Sequence, residues 1–285
     1  MTRRLITTAD DFGMSLEVNE AVEEAHREGV LTSASLVVAG DAVDDAVRRA
    51  RRMPGLGVGL HLALYGARAA CPGLGAPLSR DGVNLGAAPV RSGVAMMLGA
   101  RTELAREIAA QVEGYRQTGL GCTHLDGHWH CHQHPAVLAL ALDGVRSLGA
   151  RAVRVPHEGW QFSRAAAGVG FAPGRLGQAL AHWPLAGWMR RAARARGFST
   201  NDHFFGKCDA GAIGEPLLLG MVAALPEGVT ELGLHPARAG WSGSGAHAPP
   251  AGWRQEDELA ALTGPALREA LSARGVRLCR WDEIG

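Results

Sequence analysis

Short apolar runs of strand length alternate with segments of helical period along almost the whole chain, and this alternation restricts the fold more than any other feature. Leu5 to Thr8 is the first such run. Ser15 then stands as an N-cap before LEVNEAVEEAHRE, and Gly29 is placed to end that helix. TSASLVVAG (32–40) is rich in β-branched and small residues; DAVDDAVRRARRM follows with helical spacing and Pro54 beyond its end. VGLHLAL (58–64) predicts a third strand, TELAREIAAQVEGYRQTG a third helix, and Thr123 to Asp126 the end of a fourth strand. After Pro135, which suits a first helical position, AVLALALDGVRSLG predicts a helix and ARAVRVP a strand. VTELGLHP and GVRLCRW predict two late strands, with TGPALREALSARG helical between them.

Strands separated by helices at this spacing imply an α/β fold with a mostly parallel sheet, closed or nearly closed into a barrel. Single barrels of this kind commonly occupy 285 residues, so one domain spanning 1–285 is expected. Residues 66–100, rich in Gly, Pro and Ala, and residues 237–256, with two tryptophans, resist the scheme and read as lid or binding loops. A hydrophobic fraction of 47% with 20% charged residues is that of a soluble globular enzyme. A net charge of +1 offers no overall basic field, which disfavours nucleic acid as a partner. MTRRLITTADDFG lacks an apolar leader, no run approaches the ~20 apolar residues of a membrane span, and five cysteines are scattered singly. These features favour the cytoplasm.

The polar residues have an uneven distribution. Asp10, His61, Asp126, Arg154 and His235 all fall at or just after the C-terminal ends of predicted strands, which is where barrels carry their active sites. Asp10 and Asp11 are adjacent. A turn there can aim one carboxylate at a metal and the other at a water, or one of them can cap a helix or close an Asx turn. His61, alone in an apolar run, reads by itself as a satisfied core histidine.

THLDGHWHCHQHP, Thr123 to Pro135, shifts the balance toward a metal site. It holds five of the chain's twelve histidines. His128, His130, His132 and His134 recur with period two, so an extended segment would put them on one face, with Cys131 pointing away as a small packed residue. A catalytic zinc site typically uses three protein ligands and keeps a position open, so two or three of these imidazoles are left for support or substrate contact.

ADDFG after the first strand, GLH after the third, HLDGHWHCH, RVP and the HP of ELGLHP resemble, in order and nearly end to end, the motifs of the YdjC-type carbohydrate deacetylases, relatives of the chitooligosaccharide deacetylases. The resemblance implies an irregular (β/α) barrel of the polysaccharide-deacetylase-like type and hydrolysis of an N-acetyl group from an N-acetylhexosamine. It also implies that Asp11, His61 and His128 hold one divalent metal ion and that Asp10 is the general base. His235 would be the general acid and Arg154 would orient or tune Asp10. Asp126, His130 and His132 would support the site or touch substrate. Gly127 and Trp129 depart from many relatives, and Trp129 reads either as a sugar-stacking wall or as a packed rim residue. Three N/O ligands without a thiolate favour zinc and leave magnesium or another divalent ion open.

The opening TADDFGMSLEVNEAVEEAHREGVLTSASLVV, RTELAREIAAQ, and TNDHFFG followed by GVTELGLHPA are most similar to the hopanoid-biosynthesis-associated branch of that family. That branch implies an N-acetylglucosaminyl hopanoid lipid as substrate, with a chitooligosaccharide as the alternative. RLGQALAHWPLAGWMRRAARARGFS (175–199) reads as an ordinary outer helix broken or restarted at Pro184, with a solvated basic end at Arg190, Arg191, Arg194 and Arg196. The alternative is peripheral docking on the anionic face of the inner membrane. A phosphoesterase is disfavoured because Arg154 is the main cation at the strand ends. A non-catalytic sugar-binding or metal-sensing module is disfavoured because binding alone needs neither Asp10 nor His235. A homo-oligomer remains open.

Overall fold

Strand β1, Arg3–Phe12, is fully buried from Leu5 onward and is the axis of the sheet. A computed structural model describes residues 2–75, 78, 79, 81, 83, 85, 101–241, 249 and 251–285. Parallel strands β2 (Ser33–Leu36), β3 (Gly57–Leu62), β4 (His124–Gly127), β5 (Ala152–Val153) and β6 (Ser199–Thr200) extend the sheet from one side of β1. On its other side lie β8 (Gly228–Leu234) and then β7 (His203–Phe205), giving the order β6-β5-β4-β3-β2-β1-β8-β7. The two-residue β9, Arg277–Leu278, also pairs with β1. Every pairing between these strands is parallel, with seven residue pairs in register between β1 and β8.

The ends of this order, β6 and β7, are neighbours in sequence, and buried Asn201 sits between them. Its Oδ1 accepts from Val155 N at 2.7 Å while Nδ2 donates to Val155 O at 3.1 Å and His203 O at 2.9 Å. One side-chain amide therefore satisfies backbone groups across the seam of this curled half-barrel, where strand ladder ends.

Helices cover the outside of the sheet. The first, α1 (Leu16–Arg27), is capped by Ser15 Oγ accepting from Val18 N, as its sequence predicts, and buries Val18, Ala21, Val22 and Ala25. Helices over Arg101–Thr118 and Pro135–Arg146 follow β3 and lead out of β4. Among the described residues no helix is long and apolar enough to cross a membrane.

Three sequence expectations change. The histidine-rich segment is not extended: His128–Gln133 is a 3-10 turn interrupted by two left-handed residues, Trp129 (φ 51°) and His130 (φ 56°). Period two therefore does not put these histidines on one face, because side chains alternate only along an extended backbone. The helix Pro173–Ala195 runs through Pro184 instead of breaking there. Pro184 deprives the Leu180 carbonyl of its helical donor, on a face where Leu180 is 61% and Trp183 67% exposed. GVRLCRW yields only the two exposed residues of β9.

Of the expected loop 66–100, the described part is tied down. Ala69 N donates to Val83 O and Leu85 N to Ala67 O, while Glu107 accepts from Ala70 N and Cys71 N. Residues 86–100 and 242–248 of the two expected lids lie outside the described residues.

Candidate metal centre and active-site pocket

A register shift between β1 and β2 at Ala9 to Phe12 turns Asp10 and Asp11 in different directions. Asp11 has φ 65°, a left-handed conformation uncommon outside glycine, which Asp tolerates better than most residues and which recurs at functional sites. Its Oδ1 receives His128 Nδ1 at 2.9 Å and faces His61 Nε2 at 3.5 Å. One ligand atom from each of the three residues lies within 4.8 Å of the others. Burial pushes the Asp11 carboxyl up, but the two imidazoles outweigh it and hold it well below the usual carboxylate range.

His61 is fixed from behind by Asp126, whose Oδ1 lies 2.8 Å from Nδ1. Burial opposes its charge, yet Asp126 and Asp10 win and raise it to about 10. Asp126 is further held by the Ser35 hydroxyl at 2.6 Å, and Ser35 Oγ also meets His124 Nε2 at 3.1 Å. Asp10, His61 and Asp126 make a second cluster with ligand-like spacing. The Arg154 guanidinium already fills it, 2.7 Å from Asp10 Oδ2 and 2.9 Å from Asp126 Oδ2.

Arg154, just past β5, is wholly buried. It binds Asp10 at both carboxylate oxygens and also reaches Glu231 through Nε at 2.9 Å and Nη2 at 2.6 Å. Burial lifts Glu231 to about 7 despite that partner. His235 follows β8, with Nε2 3.8 Å from Asp10 Oδ2 and its ring 4.6 Å from that of Trp253. Its backbone N–H and that of Ile213 donate to the two oxygens of buried Glu258, at 2.5 and 3.1 Å. Burial lowers His235, and its Nδ1 has no hydrogen-bond partner among the described residues.

Of these groups Asp10, His128 and His235 line a cavity of about 250 Å³, together with Trp129, His130 and Lys207, and Gln133, Gln178, His182 and Trp253 complete the wall. Trp129 lines this cavity, 55% exposed and edge-on to His128. His130 reaches the cavity edge-on to Phe204. His132 lies behind the wall, its Nε2 3.0 Å from Arg154 O. Cys131 is buried with its thiol toward Leu62 O, in agreement with its reading as a packing residue. All five cysteines are free.

The structure thus gathers Asp10, Asp11, His61, His128, Asp126, Arg154 and His235 at the C-terminal strand ends. Ser35, His124, Glu231, Glu258, Lys207 and Trp253 also belong to the site and were not expected there from the sequence. Glu231 carried a readable signal, a charge in the middle of an apolar strand. His124 stood in the histidine-rich stretch beside Thr123 and Asp126, and the others gave none, since only the fold brings Ser35 to Asp126, Lys207 to Gln133, Glu258 to Ile213 and Trp253 to His235.

The profile described as YdjC-like protein matches residues 4–273. A carbohydrate deacetylase of Brevibacillus brevis is 43% identical over 142 residues, 49% of this chain and 54% of that relative. A chitooligosaccharide deacetylase of Enterobacter sp. is 32% identical over 286 residues, 98% of each chain. A crystal structure of a candidate cellobiose-phosphate cleavage protein from Enterococcus faecalis superposes with a TM-score of 0.75 at 22% identity over the whole of both chains, which establishes the shared fold. With the profile spanning most of its length, the chain belongs to the YdjC-like protein family.

Proposed function

We propose that this protein is a metal-dependent carbohydrate deacetylase that hydrolyses the N-acetyl group of an N-acetylhexosamine unit. The observation that carries the proposal is the convergence of Asp11, His61 and His128 beside Asp10 and His235 at one pocket. The names of the Brevibacillus and Enterobacter relatives support the reaction class, and the second supports a chitooligosaccharide substrate.

The donor set suits a divalent ion. It consists of one carboxylate and two imidazoles without a thiolate, and Asp126 fixes the ring of one imidazole from behind. Zinc is favoured, with magnesium or another divalent ion as the alternative. Held by Asp11, His61 and His128, the ion would polarise the acetamide carbonyl and acidify the attacking water.

Asp10, oriented by the Arg154 fork, takes the proton of that water. The imidazole of His235 starts neutral because burial disfavours its charge. Its Nε2, 3.8 Å from Asp10 Oδ2, can then receive that proton and deliver it to the departing amine nitrogen. Acetate and the free amino sugar leave. Trp129 and His130 contact the sugar, Asp126 steadies His61, and His132 steadies the Arg154 backbone.

Asp10→Asn is the test. It should retain metal while acetate release from N-acetylglucosamine oligomers falls by ~10²–10⁴-fold. Unchanged turnover would reject Asp10 as the base.

A lipid-linked glycan, of which an N-acetylglucosaminyl hopanoid is the specific case, is a second reading favoured by one surface. Leu180 and Trp183 are exposed on the helix Pro173–Ala195, Phe171 is 74% exposed just before it, and Arg191, Arg194 and Arg196 are exposed at its end. Arg190 differs: it is half-buried and donates to the backbone of Asn201 and Asp202. This surface supports peripheral docking on anionic lipid from a reducing compartment that suits five free thiols. Absence of co-sedimentation with anionic vesicles would remove that reading.

A further inference from the structure

The pocket lining holds two groups of side chains of different chemistry. Asp10, His128 and His235 are the reacting group. Gln133, Gln178, His182 and Lys207 are the other, to which the reaction assigns nothing.

Lys207 is held there by design of the loop around it. Gly206 has φ 110°, and a Cβ on it would lie 2.1 Å from Gly233 O, so the loop crosses β8 at a closeness only glycine allows. The next two backbone N–H groups, of Lys207 and Cys208, both donate to Oε2 of buried Glu158, at 2.8 and 3.0 Å. The Lys207 ammonium meets only Gln133 Oε1, at 3.4 Å, and no carboxylate pairs with it among the described residues. That contact occupies the oxygen of Gln133 and leaves its buried Nε2 with no partner. The Cys208 thiol likewise occupies Gln178 Oε1 at 2.7 Å. Lys207, Gln133 and Gln178 thus keep one ammonium and two amide nitrogens, all donors, beside the imidazole of His182.

We propose that Lys207, with the amide nitrogens of Gln133 and Gln178, is the specificity-determining group that binds a non-reacting oxygen of the substrate: a sugar hydroxyl or an anionic substituent on the same sugar. This inference rests on the deacetylase reading, because it treats Asp10, His128 and His235 as the place where the acetamide reacts. A purely structural lysine would gain a carboxylate partner or send its ammonium to solvent, since burying an unpaired charge is costly. Here burial lowers Lys207 to about 8, so the group remains largely cationic at neutral pH and gains most from an oxygen ligand.

The test uses the metal-loaded full chain as wild type, Lys207→Met and Lys207→Arg, with a neutral N-acetylglucosamine dimer and the same dimer carrying a 6-O-sulfate. A hydrogen bond to a charged group contributes ~1.5–3 kcal/mol, so Lys207→Met should raise KM by ~10- to 100-fold. Its kcat and metal content should stay near wild type, and Lys207→Arg should restore part of the KM. A rise for both dimers identifies a hydroxyl as the ligand; a rise confined to the sulfated dimer identifies the anionic substituent. Unchanged KM for both, or lost kcat at unchanged KM, overturns the assignment. A metal-loaded wild type that turns over neither dimer rejects the deacetylase reading instead. Calorimetric binding of the same dimers then decides Lys207 separately, with weaker binding to Lys207→Met supporting its role and equal binding or none overturning it.

Discussion

Arg154 grips Asp10 at two points, Nη1 2.7 Å from Oδ2 and Nη2 2.8 Å from Oδ1, across 144 residues of sequence. The same buried guanidinium binds Glu231 and Asp126, so one cation serves three carboxylates. Lysine keeps the charge but not the planar fork. Arg154→Lys should therefore lower acetate release at least ~10-fold while the protein still folds, because Asp10 loses its second hydrogen bond. Arg154→Met strands three buried carboxylates and should cost ~3–5 kcal/mol in a denaturant titration. A methionine variant as stable as wild type would mean that the cluster takes up protons instead of relying on Arg154.

Asp11→Asn or His128→Ala should abolish stoichiometric metal binding, read by metal analysis after dialysis. His61 adds a pH signature. Without metal its imidazole holds its proton up to about 10, so a ligand role requires that proton to leave on binding. Metal affinity should then rise with pH, by up to tenfold per pH unit between pH 6.5 and 8.5. A flat profile would exclude His61 as a ligand.

Glu258 carries a stability prediction. Burial raises it to about 7 although backbone N–H groups, including that of His235, favour its charged form. Between its unfolded value near 4.5 and about 7 the folded state binds the extra proton, so this group's contribution is greatest at low pH and is lost as pH rises. Glu258→Gln removes that slope. Its melting temperature relative to wild type should increase from pH 5 to pH 7.5, and a constant difference would place the Glu258 pKa outside this window.

Gly211 supports the pocket from outside. Its φ is +72°, and a Cβ there would lie 2.1 Å from Trp253 Cδ2. Gly211→Ala should displace the indole that packs 4.6 Å from the His235 ring, changing tryptophan fluorescence and lowering kcat/KM. An alanine variant with wild-type fluorescence and kinetics would show that Trp253 does not position His235.

The period of the apolar residues and the positions of Gly and Pro made the strand–helix alternation legible, and with it the strand ends where Asp10, His61, Asp126, Arg154 and His235 stand. These are local signals, read within a window of about ten residues. The path of the histidine segment was not legible, because alternation in sequence says nothing of whether the backbone is extended. Its left-handed Trp129 and His130 send His128 toward Asp11 and His132 to the far side of the wall.

Residue type by itself determined the chemistry on offer: carboxylates and imidazoles at the ends of parallel strands. Only the tertiary structure decided how they divide. Asp10 and Asp11 are adjacent in sequence, yet a bulge and a positive φ give one to Arg154 and the other to the imidazoles. The same holds for Arg154 with Glu231 and for Lys207 with Gln133, since whether a buried charge is paired depends on neighbours that the sheet brings together from distant parts of the chain.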